Sequence, residues 1–178
     1  MDDIIVAGTT EDGTVTALHL QVKNSIAFTS GDANWIDVLQ RAWDTFTQTD
    51  FDRTNMRFGV GIGRYSARAD DQYQSVLSWA RYSESAGDFF LRIERRDFSS
   101  EAKIAFVQTI RDVVTTYIEG PVAHEELWKF LKCLLVIHFD FQNVEVSCDG
   151  EATCDRLRTL FTDDMENRAR QLWDHLIG

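Results

Sequence analysis

The 178-residue chain has a single proline, only three cysteines and no apolar run of eighteen residues. Without such a run, and with an acidic start rather than a basic and apolar one, neither a membrane-spanning helix nor a secretory signal is read in it. Cys133, Cys148 and Cys154 are an odd set with no CxxC pair, which argues against a disulfide framework or a zinc site. Cys133 lies in an apolar run and reads as core. Cys148 and Cys154 are expected to stay free thiols in a cytoplasmic protein. There is no GxxxxGK[ST], hence no P-loop ATPase. Basic residues are scarce as well: 18 Lys and Arg face 29 Asp and Glu, for a formal charge of −11. That balance counts against a general DNA binder, since nonspecific affinity comes from cations neutralising phosphates.

The composition nevertheless supports a folded domain. Hydrophobic residues make up 44% and aromatics 12%, enough for a real core and too much for a disordered chain. The charge is unevenly spread: residues 1–52 carry −7, residues 53–111 carry +3, and residues 112–178 carry −7. The middle third, with Arg53, Arg57, Arg64, Arg68, Arg81, Arg92, Arg95 and Arg96, is therefore the one region suited to face phosphates.

The chemically suggestive arrangement lies at the start. Asp2-Asp3-Ile4-Ile5-Val6 enters a strand, and the polar turn Thr9 to Thr14, with its Asp12-Gly13 step, is a strong hairpin signal. A second strand then ends Leu18-His19-Leu20-Gln21-Val22-Lys23. Alternation along it puts His19, Gln21 and Lys23 on one face and Leu18, Leu20 and Val22 on the other. Antiparallel pairing brings Asp3 toward Gln21 and Lys23. A carboxylate, an amide oxygen, a backbone carbonyl (that of Val22) and an ammonium at one end of a hairpin suit a hard divalent cation and an activated water. A half-buried hairpin with a solvated polar edge is the plainer reading of the same spacing. The four histidines, His19, His124, His138 and His175, show no metal-ligand spacing, and only His19 shares the face of Gln21.

These residues also carry a resemblance. Asp3-Ile4-Ile5-Val6 followed by Leu20-Gln21-Val22-Lys23-Asn24-Ser25 resembles the core of the PD-(D/E)xK, or restriction-endonuclease-like, superfamily in its Gln-x-Lys variant. The likeness is to Mrr-type nucleases and to the amino-terminal nuclease domains of bacterial anti-phage effectors. The stretch Ser25 to Thr29 and the following helix with Trp35 and Trp43 extend it; Glu126 to Leu131 and Val136 to Asp140 do so more loosely. The resemblance implies an α/β fold with a central mixed sheet flanked by helices. It further implies metal-dependent cleavage of DNA with Mg2+ or Mn2+, Asp3, Gln21 and Lys23 being catalytic, and Asp3, Gln21 and the Val22 carbonyl holding the metal. His19, Arg57 and Arg64 are the expected substrate contacts. The family's usual opening helix, with a further acidic residue, does not precede the strand in this sequence. The expectation is either a reading frame that starts late or a site that has lost a ligand, with Asp2 as a substitute. A catalytically inactive module of the same fold, serving oligomerisation or regulation, is the alternative, and an acidic DNA mimic a weaker third.

Farther along, Thr29-Ser30-Gly31-Asp32 offers helix-capping chemistry, and Trp35, Val38, Leu39, Ala42, Trp43 and Phe46 recur at helical spacing. Residues 56–63 read as a strand. Its Gly59, Gly61 and Gly63 lie inside the strand pattern and are no nucleotide-binding loop, but they allow a close approach to the backbone. A helix is expected over 70–83, and another from Ser99 to about Glu119, ended by Gly120-Pro121. Phe89 to Ile93 reads equally as a short strand or as a linker to the next helix. A domain boundary is placed at Pro121, giving a nuclease-like domain over 1–120 and a small helical or winged-helix-like extension over 121–178. That extension is expected to hold a helix at 124–131, a strand at 133–141 and helices at 150–161 and from 163 on. The amphipathic end, Leu172 to Gly178, points to a homo-oligomer or to further fused domains.

Overall fold

On either side of the Asp12-Gly13 step the chain is rich in β-branched residues, and the two runs pair. Strand β1 (Ile4–Thr9) lies antiparallel to β2 (Val15–Ser25), with Ile4 opposite Leu20 and Thr9 opposite Val15. Gly13 has φ of +85°, a conformation that glycine adopts without the clash an L side chain meets. The computed structural model describes residues 4–9, 13, 15–64 and 67–138. Contacts along the chain divide it into Met1–Ile137 and His138–Gly178.

Helix α1 (Ala33–Thr47) starts at Asp32, whose carboxylate does two jobs. Its Oδ1 accepts from the Asn34 and Trp35 amides at 2.9 and 3.4 Å, satisfying N–H groups that the first helical turn leaves unpaired. Its Oδ2 accepts from the Ala27 amide at 2.5 Å, tying the exit of β2 to the helix. The six residues of the expected apolar stripe, Trp35, Val38, Leu39, Ala42, Trp43 and Phe46, are all buried.

The chain then returns as β3 (Met56–Arg64), parallel to β2, with Leu18 beside Arg57 and Lys23 beside Ile62. Phe58, Val60 and Ile62 face the core and are at most 1% exposed. Phe58 packs against Phe46 and Phe130 with ring centroids 6.2 and 5.0 Å apart, and Trp43 lies 5.3 Å from Phe130. A second aromatic group joins Phe28, Trp35, Tyr73 and Phe106, with the last two stacked at 4.4 Å. Phe28 is held at φ of +54°, and its burial among these rings offsets the cost of a left-handed backbone.

Four more helices follow: α2 (Ala67–Tyr82), α3 (Ala86–Glu94), α4 (Glu101–Tyr117) and α5 (His124–Cys133). The last leads directly into β4 (Leu134–His138). Among the described residues the sheet has four strands in the order β1-β2-β3-β4, mixed in direction, so the fold is α/β. Helix α2 is bound to β4: Gln74 Nε2 donates to the Val136 carbonyl at 2.6 Å and Arg81 Nη1 to that of Leu134 at 3.4 Å. The Trp128 indole donates to the Ala80 carbonyl at 2.9 Å, fastening α5 to α2.

Two expectations are corrected. Phe89 to Ile93 is neither strand nor linker but the middle of α3: Ser85 caps it and Ala86, Phe89, Phe90 and Ile93 form its buried stripe. No boundary falls at Pro121 either. The proline follows the end of α4, yet Leu127, Trp128, Phe130 and Leu131 of α5 are buried in the common core and β4 belongs to the sheet. The division comes after Ile137. The expected helices at 150–161 and beyond 163, and the winged-helix-like reading, lie outside the described residues. No described helix is long and apolar enough to cross a membrane.

The close approach expected at the β3 glycines is found at Gly59, where a Cβ would land on the backbone of Leu135. Gly59→Ala is therefore expected to lower unfolding stability in urea by about 1–3 kcal/mol, as overpacking does. Gly31→Ala, with open space around the new methyl, should stay within about 0.5 kcal/mol.

Candidate functional site

Because His19, Gln21 and Lys23 of β2 stand beside Phe58, Val60 and Ile62 of β3, they share the face that α1 covers. Gln21 and Lys23 are accordingly 9% and 8% exposed, and His19 is half-buried. An ammonium so far from water requires an anion. Asp37, on the second turn of α1, provides it: Lys23 Nζ donates to Asp37 Oδ2 at 2.9 Å. Arg41, one turn on, donates from Nε to the other oxygen at 3.0 Å. Burial works to raise the pKa of Asp37. The hydrogen bonds from Lys23 and Arg41, and then their charges, outweigh it and hold the carboxyl below its usual range.

Beside this clasp lies a cavity of about 70 Å³. Ile5, His19, Gln21, Arg41, Thr45 and Gly59 are among its walls. The Gln21 carbonyl oxygen is buried there, and among the described residues it has no hydrogen-bond partner. Buried acceptors are rarely left unpaired, and losing such a bond costs about 1–3 kcal/mol, so a donor or a cation is the natural occupant. Lys23 has three N–H donors, and among the described residues only Asp37 accepts from it.

The expected residues fare differently. Gln21, Lys23 and His19 share one face as read, and the hairpin register that would carry residue 3 toward Gln21 is present up to the Ile4–Leu20 pair. Asp3, with Asp2, lies outside the described residues. Val22 is a ladder residue opposite Gly61. Arg57 is on the opposite face from Gln21 and Lys23, since it precedes the inward Phe58, and it is not part of this constellation. Arg64 pairs through its backbone with Ser25, and its side chain lies outside the described residues. Asp37 and Arg41 were missed. They sit on the polar flank of the α1 stripe at a spacing of four, a pattern shared by many solvated helix faces.

As a metal site the described residues are incomplete. Gln21 Oε1 and Asp37 are oxygen donors of the right kind for magnesium or manganese. The Asp37 carboxylate is, however, already shared by Lys23 and Arg41. Among the described residues no group of three His, Cys, Asp or Glu side chains could hold a metal ion. Set beside known proteins, the chain matches no family model, no curated protein and no solved structure.

The lowered pKa of Asp37 has a testable sign. Its contribution to stability is complete above the ordinary carboxylate range near 4 and is lost as the pH falls through the lowered value. The stability difference between the wild type and Asp37→Asn should therefore be constant at neutral pH and shrink as acid protonates Asp37. Chemical denaturation at a series of pH values measures this, and a gap that stays the same down to pH 2 refutes it.

Proposed function

We propose that this chain carries a restriction-endonuclease-like nuclease domain. It would cleave DNA phosphodiester bonds with magnesium or manganese as an anti-phage effector in the cytoplasm. The single observation that supports the reading most is the buried oxygen of Gln21, without a hydrogen-bond partner among the described residues and two residues from a buried lysine on the same face of β2. Such a pair is costly to fold and has an obvious use at a site that binds an oxygen-seeking cation and a phosphate. In this reading Asp3, Gln21 Oε1 and the Val22 carbonyl hold the metal, which when bound polarises the phosphodiester and lowers the pKa of water. Asp3 contributes the carboxylate that the described residues lack.

The chain's own groups then have distinct tasks. Asp37 and Arg41 fix the direction of the Lys23 ammonium, so Lys23 meets the attacking water or a phosphate oxygen with N–H donors already in place. Asp37 is a positioning residue. The apolar walls of the cavity, Val38, Ala42 and Phe58, keep bulk water off Gln21.

A second reading is a module that keeps the fold without cleavage and serves oligomerisation or regulation; in its favour, no group of three His, Cys, Asp or Glu side chains among the described residues could hold a metal ion. Calorimetry with Mn2+ separates the two. Nuclease function predicts saturable heat that Asp3→Ala removes, and an inert module predicts none. Lys23→Ala should cut metal-dependent nicking of duplex DNA by about 100-fold or more, with an unchanged circular dichroism spectrum. Nicking that persists at the wild-type rate in that variant would sink the assignment.

A further inference from the structure

The arginines of the middle third include one pair that the site above does not use. Arg57, at the start of β3, donates from Nη1 to the carbonyls of Arg53, Thr54 and Met56 at 3.3, 3.0 and 2.7 Å. Arg81, in the last turn of α2, donates from Nη1 to the Leu134 carbonyl at 3.4 Å. The Cys133 thiol shares the Arg53 carbonyl with Arg57, at 3.6 Å. The two guanidinium groups thus converge on Cys133 and Leu134, where α5 passes into β4.

Both side chains are half-buried, and among the described residues neither is paired with a carboxylate. Nearby charges are already engaged. Glu126 pairs with Arg53 at 3.2 Å, and Asp52 accepts from the Thr54 amide and the Asn55 side chain at 2.8 and 2.7 Å. Lys132 lies over the Trp128 ring at 4.4 Å. Burial, and after it the like charge of Arg57, pull the Arg81 pKa below its ordinary value. Each guanidinium has five N–H donors in a planar fork, and among the described residues the Nε and Nη2 donors of both have no acceptor, a geometry that matches phosphate oxygens.

We propose that Arg57 and Arg81 form a seat for a phosphate group at the junction of α5 and β4, separate from the Lys23 site. Nucleic-acid backbone is the first source of that phosphate, a choice that rests on the nuclease reading; a small phosphate compound is the second. The competing role is purely structural, cations closing the carboxyl end of α5.

The test uses the full chain with EDTA present, so no cleavage is needed and failure of the Lys23 assignment leaves it intact. Fluorescence anisotropy with a labelled DNA duplex is run on the wild type, Arg57→Gln, Arg81→Gln and the double variant. Calorimetry with inorganic phosphate and with ATP, and thermal melts, accompany it. A backbone phosphate predicts about tenfold weaker duplex binding for each single variant, with the slope of log K against log salt smaller by about 1. Loss of ATP or phosphate binding alone assigns the seat to a small phosphate compound. The proposal is overturned if the wild type binds none of the three probes, or if the double variant binds them as the wild type does, whatever its melting temperature.

Discussion

A lysine nine-tenths removed from water depends on the carboxylate that meets it, and the contact between Lys23 and Asp37 organises the covered face of the sheet. An unpaired ammonium at that depth costs several kcal/mol, while a well-made pair does little better than offset its own desolvation. Its main effect is therefore on arrangement. Asp37 must stand over β2, and α1 can put it there only if the stripe from Trp35 to Phe46 is seated on Phe58 and its neighbours. Asp32 fixes where that helix begins, through its bonds to Ala27, Asn34 and Trp35. Cap, stripe and ion pair all require the same placement of α1, and Gln21 is enclosed as a result.

The remainder of the unit is built to hold the β2-β3 platform. Helix α5 contributes Phe130 to the aromatic group around Phe58, and α2 binds β4 through Gln74 and Arg81. The two outer strands among the described residues differ: β4 is tied to α2, whereas β1 leaves Ile4 and Ile5 48% and 60% exposed. Charge is segregated in the same way. In an acidic chain, cations are gathered at Lys23 and Arg41 over one face of the sheet and at Arg57 and Arg81 where α5 passes into β4.

Much of this was legible in the residues. The α1 stripe was read in full because six large apolar side chains at spacings of three and four leave no other way to hide them. The face shared by His19, Gln21 and Lys23 followed from the two-residue period of a strand. Phe89 to Ile93 was ambiguous because a five-residue apolar run fits either period; the Ser85 cap and the depth of Ala86 resolve it as helix. The boundary at Pro121 failed for a different reason. Proline interrupts a backbone hydrogen-bond ladder, but it does not stop Leu127, Phe130 and Leu131 from returning to the same core.

Taken alone, the sequence determined which residues lie on which face of each element, since helical and strand periods are local properties of the chain. It thereby determined that Gln21 and Lys23 point the same way. Only the tertiary structure decided that this face is the one under α1, that Asp37 meets the lysine and Arg41 shares that carboxylate, and that Arg57 lies on the other face from Lys23. Those outcomes depend on which surfaces of distant segments pack together, and a polar residue on the flank of a helix carries no local mark of the partner it will find.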